Sequence, residues 1–83
     1  MKEPKFVEVE WADAISTADW RDDHHLPAVV KCTSRGWLLI DDDEQVTLAG
    51  TLQEGDDGHV GEIVSIPRGM VKRIRRLKVS YGR

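Results

Sequence analysis

The chain holds a single cysteine, Cys32, so it forms no internal disulfide and suits a reducing compartment. Cys32 falls within a strand pattern, where a thiol is expected to be buried and inert. No apolar run approaches the roughly 20 residues that span a bilayer, so no membrane partner is expected. Met1-Lys2-Glu3-Pro4-Lys5 leads into no signal-type apolar segment, which points to the cytoplasm. There is no C-x-x-C or H-E-x-x-H spacing for a metal, and no Gly-Lys-Ser/Thr ending for a phosphate loop. Internal repeats and low-complexity tracts are also missing. Finally, no acid follows Glu62.

That last absence marks a segregation of charge. Residues 1–62 carry all fifteen acids and five bases, a balance of −10, while residues 63–83 carry seven bases and no acid, a balance of +7. The net charge of −3, with 33% charged and 40% apolar residues, is that of an ordinary folded protein. A chain of 83 residues makes a single small domain over 1–83. It buries roughly 60–65% of its unfolded surface, enough for one core.

The organising stretch is Ala28 to Leu52, two apolar, β-branched-rich runs flanking Asp41-Asp42-Asp43-Glu44. Four charged residues between such runs predict a β-hairpin with a four-residue loop. On its second arm Val46, Leu48 and Leu52 share one face, and Gln45, Thr47 and Thr51 the other. The continuous run Trp37-Leu38-Leu39-Ile40 predicts a strand covered on both faces. Gly36 and Gly50 predict a bulge or a sharp bend.

Before the hairpin, Lys5 to Trp11 alternates, with Val7, Val9 and Trp11 inward and Glu8 and Glu10 outward. Residues 12–27 hold no sustained period and predict a long polar loop anchored by Trp20 and Leu26, with room for a short helical turn. After the hairpin, Gln53 to His59 is a turn cluster, and Val60 to Ile66 a fourth strand that Pro67 ends. Met70, Ile74 and Leu77 have helical spacing, but Gly69 would sit in the first turns of that helix. The better reading is a 3₁₀ turn leading into a fifth strand.

Ser65-Ile66-Pro67-Arg68-Gly69-Met70-Val71 resembles the closing segment of SH3-like barrels, where Ile-Pro-x-x-x-Val forms a 3₁₀ turn into the last strand. Arg68-Gly69 followed by Val71 and Ile74 is also similar to the second motif of Sm-like proteins, with one residue fewer between Gly and Val. The resemblance implies an all-β, five-stranded SH3-like or Sm-like barrel with one long loop after the first strand. The aromatic signature of signalling SH3 domains is absent, so proline-rich ligands are not implied. The Val-Glu-Val-Glu-Trp opening and the central Gly-Trp also resemble small phage-encoded proteins, which would place the chain in a host cytoplasm.

No catalytic constellation stands out. Asp22-Asp23-His24-His25 has ligand-type side chains, but adjacent residues seldom reach one tetrahedral ion, and a solvated loop is the plainer reading. Cys32 with a histidine lacks any local mark of an activated thiol. The acidic hairpin tip lacks the spacing and the Gly of a calcium loop. The expectation is therefore no enzyme, no cofactor and no metal.

Two binding functions remain. In the first, the protein is an interaction module that holds another protein through the 12–27 loop at Trp20, Arg21, Asp22, His24 and His25, with self-association as a further outcome. In the second, Arg68, Lys72, Arg76 and Lys78 form a basic face for nucleic acid, with Lys72, Ile74, Arg76 and Lys78 pointing outward together. The bland alternative is that the last strand pairs its bases with Glu8 and Glu10 of the first. Trp11, Trp20 and Trp37 are expected in the core, Trp20 being the one of the three expected to reach solvent and an interface.

Overall fold

The computed structural model describes residues 4–13, 29–53, 58–78 and 80. They form five strands: β1 (Phe6–Asp13), β2 (Val30–Asp41), β3 (Gln45–Leu52), β4 (Val60–Pro67) and β5 (Val71–Arg76). A 3₁₀ turn, Arg68–Met70, joins β4 to β5. All pairings are antiparallel, in one sheet of order β4-β3-β2-β1-β5. The all-β class, the central hairpin and the 3₁₀ turn before a last strand are therefore as the sequence predicts.

Closure is not. The sheet is open, and β4 and β5 are its two edges among the described residues. A three-residue turn joins these two edge strands, so the sheet curls without pairing them. Its first amide, Arg68 N–H, donates to the carbonyl of Glu44 at 2.9 Å, pinning the turn to the tip of the β2–β3 hairpin. From there β5 runs beside β1, at the opposite end of the pairing order from β4.

The sheet bends through β2. Residues 30–37 pair with β1, and residues 37–41 with β3. Trp37 is the hand-over, opposite Phe6 on one side and Ala49 on the other. Bending brings backbone close at Gly36, where a Cβ would lie 2.7 Å from the Ala49 carbonyl oxygen, so only glycine fits. The two halves of the sheet bury Val7 and Val9 from one side and Val46, Leu48 and Ile66 from the other. Each such aliphatic side chain, once buried, contributes about 1.5–3 kcal/mol. Trp11, Leu38, Val64, Met70, Val71 and Ile74 ring that core.

Two bulges correct the sequence reading. Leu38 opposes Leu48, but Ile40 opposes Thr47, so Leu39 is an extra residue on β2. The run from Trp37 to Ile40 is thus continuous because the strand shifts phase, and Ile40 is left 40% exposed. On β5, Arg73 opposes Glu10 and Val71 opposes Trp11, so Lys72 is bulged out. That bulge turns both Val71 and Ile74 to the core at a three-residue spacing, where an unbroken strand would set them on opposite faces. Ile74 therefore does not share an outward face with Lys72.

Local chemistry sets the hairpin tip. Asp42 Oδ1 accepts the backbone N–H groups of Glu44 and Gln45, each at 2.9 Å, which fixes the turn at residues 42–44. These bonds, Gln45 first, hold the Asp42 carboxyl below its usual range.

Candidate functional site

On the face of β1 away from the core, Glu8 and Glu10 stand between β2 and β5. Register places Glu8 opposite Arg35 on one side and Arg75 on the other, and Glu10 opposite Arg73. Arg35 closes its Nε and Nη2 on Glu8 Oε1, both at 2.8 Å. Arg75 Nη2 reaches Glu8 Oε2 at 2.5 Å and Glu10 Oε2 at 3.0 Å. Arg73 Nη2 meets the same Glu10 oxygen at 2.7 Å. Charge thus alternates across three strands in a continuous ladder.

The ladder covers Glu8, which is only 6% exposed. A carboxylate so placed needs compensating cations. The hydrogen bond from Arg75 is the main cause holding the Glu8 carboxyl below its ordinary range; burial opposes it and Arg35 reinforces it. The pairing of last-strand bases with Glu8 and Glu10 is therefore present, through Arg73 and Arg75. Arg35 escaped the sequence reading, because a register between residues 27 apart leaves no local signal.

The predicted nucleic-acid residues are dispersed. Arg68 forms an ion pair with Asp41 at 2.6 Å. Lys72 projects from the β5 bulge, Arg76 ends β5 opposite Val7, and Lys78 lies just beyond. These last three are exposed and have no ion pair among the described residues.

The predicted protein-binding residues Trp20, Arg21, Asp22, His24 and His25 lie outside the described residues, as does the Asp22-Asp23-His24-His25 cluster. Their point of attachment is described. Where β1 ends and β2 begins there is a cleft of about 700 Å³, lined by Glu10, Trp11, Val29, Lys31, Cys32 and Lys72 among others. Trp11 is half-buried there, and its indole N–H donates to Ser34 Oγ at 3.0 Å. Val29 and Val30 are 62% and 45% exposed at this end. Cys32, expected to be buried, is half-exposed in the cleft wall, because this part of β2 extends beyond β3.

Trp37 departs from the core expectation as well. Register puts it on the outer face, packed edge-on against Phe6 with ring centroids 5.1 Å apart. The row continues through Ala49 to Ile63, which is 55% exposed on the β4 edge.

Among the described residues no group of three or more His, Cys, Asp or Glu side chains is placed to hold a metal ion, and no helix is long and apolar enough to cross a membrane. No family model matches the chain, and no curated protein or solved structure gives a significant match.

Proposed function

We propose that this protein is a non-catalytic interaction module of SH3-like architecture. It binds another protein at the end of the sheet where residues 14–28 link β1 to β2. The observation that carries this reading is the pair of exposed valines, Val29 and Val30, beside the Trp11-lined cleft. Exposed apolar side chains beside a cleft and rimmed by charge, as here by Glu10, Lys31 and Lys72, suit a binding surface. Trp20, Arg21, Asp22, His24 and His25 belong to the same connection and supply the remaining contacts. The SH3-like assignment draws support from the strand order, the hand-over of β2 between two partners, and the 3₁₀ turn before β5. The proposed setting is a host cytoplasm, as for the small phage proteins the sequence resembles.

The test is site-specific photo-crosslinking in cells, with benzoylphenylalanine at position 20 or 29 and at position 45 as a remote control. One partner captured from 20 and 29, and lost in a Trp20→Ala background, is the expected result. The same capture from position 45 would remove this end of the sheet from contention.

A second reading keeps nucleic acid as the ligand. What favours it is the exposure of Lys72, Arg76 and Lys78 without carboxylate partners among the described residues. What weighs against it is the commitment of Arg68, Arg73 and Arg75 to Asp41, Glu10 and Glu8.

A further inference from the structure

The free edge of β5 repeats, toward solvent, the chemistry it already uses to hold β1. On its paired side, β5 sets Arg75 against Glu8, Ile74 against Val9, and Arg73 against Glu10. The strand it holds there is Val-Glu-Val-Glu, with two carboxylates two residues apart and an apolar residue between them. On its other side, among the described residues, no strand is paired.

Both arginines remain 53–57% exposed, and each touches β1 through Nη2 alone. Among the described residues their Nε and Nη1 donate no hydrogen bond. Arg35 shows the two-nitrogen approach open to such a guanidinium, since it brings Nε and Nη2 together on Glu8. A guanidinium with donors to spare next to an open backbone edge is suited to a second carboxylate on an added strand.

We infer that β5 binds an extended acidic segment of a partner protein by strand addition, the segment carrying Glu-apolar-Glu. Its carboxylates sit over Arg73 and Arg75, which a ~3.4 Å rise places about 7 Å apart, and its apolar residue lies beside half-buried Ile74. The charge ladder then runs Arg35, Glu8, Arg75, carboxylate across four strands. A second copy is the wrong occupant, because pairing β5 with itself sets arginine against arginine. The edge thereby resists self-pairing while accepting an acidic strand. Nucleic acid satisfies the charge but neither the backbone edge nor Ile74. The binding edge uses Arg73, Ile74 and Arg75 and draws on no residue of the β1–β2 connection, although Lys72 beside them also lines the cleft at that end of the sheet.

The experiment is an anisotropy titration with fluorescein-labelled Ser-Gly-Thr-Glu-Val-Glu-Thr-Gly-Ser, accompanied by amide chemical-shift mapping. Binding is expected, with shifts centred on residues 71–76. A peptide with Gln for both Glu should bind about tenfold more weakly or worse, and one N-methylated on alternate amides should not bind. Arg73→Lys/Arg75→Lys keeps the charge and loses the fork, and is expected to weaken binding severalfold. Should that variant unfold, the peptide controls carry the test alone. Trp20→Ala should bind the peptide as the wild type does. No binding, binding indifferent to N-methylation as for a generic polyanion, shifts on the β4 edge, or loss in Trp20→Ala would each overturn the assignment.

Discussion

The carboxylate of Glu8 and the guanidinium of Arg75 meet at 2.5 Å although 67 positions separate them in the chain. The contact joins the first strand to the last and helps cover a carboxylate that is only 6% exposed. Arg35 completes it from the other side. The basic tail that looks, in sequence, like a polyanion site is in part the counter-charge of β1.

Acid should loosen this contact. Folding lowers the Glu8 pKa from its ordinary value of 4.5, so between the unfolded and folded values the unfolded chain binds more protons. The stabilisation is complete above the ordinary value and is lost as pH falls through the lower, folded value. Asp42 acts with the same sign. Urea midpoints measured from about pH 6 to about pH 3 should therefore fall, and Glu8→Gln should flatten that fall while lowering the midpoint at neutral pH. An unchanged profile in Glu8→Gln would exclude Glu8 as a contributor.

Two glycines make a paired test of the bend. Gly36→Ala places a methyl 2.7 Å from the Ala49 carbonyl oxygen, and backbone cannot yield cheaply there. Denaturant unfolding should show a loss of about 1–3 kcal/mol. Gly69→Ala meets nothing within 4 Å and should stay within about 0.5 kcal/mol of wild type. Equal losses at both sites would count against the hand-over in β2.

Core and rim should separate cleanly. Leu48 is buried between the two halves of the sheet, and Leu48→Ala should cost about 2–5 kcal/mol, a large part of what a domain of this size has. Trp11→Phe keeps most of the ring and removes the indole bond to Ser34. About 0.5–1.5 kcal/mol is expected for that bond. Thermal unfolding by circular dichroism measures both.

The nucleic-acid reading has its own control. Anisotropy with single- and double-stranded DNA and RNA, at two salt concentrations, should give a slope of about −0.7 to −0.9 per phosphate engaged if Lys72, Arg76 and Lys78 contact phosphates. Changing the three together to Ser should abolish binding without unfolding the protein, because none is paired with a carboxylate among the described residues. Undetectable binding at low salt assigns these side chains to solubility.

Much of the fold was legible because it is written in local periods. Alternation places Val7 and Val9 inside, and the acidic tip separates β2 from β3. Pro67 and Gly69 mark the turn before β5. The features that escaped are non-local or phase-shifting. A single extra residue, Leu39 or Lys72, reverses the faces of the residues beyond it without altering composition. The bulge at Leu39 made a two-sided burial of the Trp37–Ile40 run look plausible, and the one at Lys72 hid that Val71 and Ile74 face the same way. Trp37 read as core because tryptophan is large and apolar, yet the hand-over at β2 turns it outward against Phe6. Of the candidate site, the partnership of β1 with β5 was legible from charge, and the role of Arg35 was not. The residues around Trp20 fall outside the described part of the chain.

The ladder between β1 and β5 also sets the order of events in folding. Val7 and Arg76 are partners 69 positions apart, and closing a loop of that length from an open chain costs on the order of 4 kcal/mol in entropy. The hairpin between β2 and β3 closes over three residues and forms early, whereas β5 gains its full reward only once β1 is in place. Such a topology folds on the slower, millisecond-to-second side of small domains. By the same logic, the strand that docks last is the first to come away. Its departure uncovers the Glu8 carboxylate, so among the described strands this edge is where protons, proteases and hydrogen exchange gain access on opening.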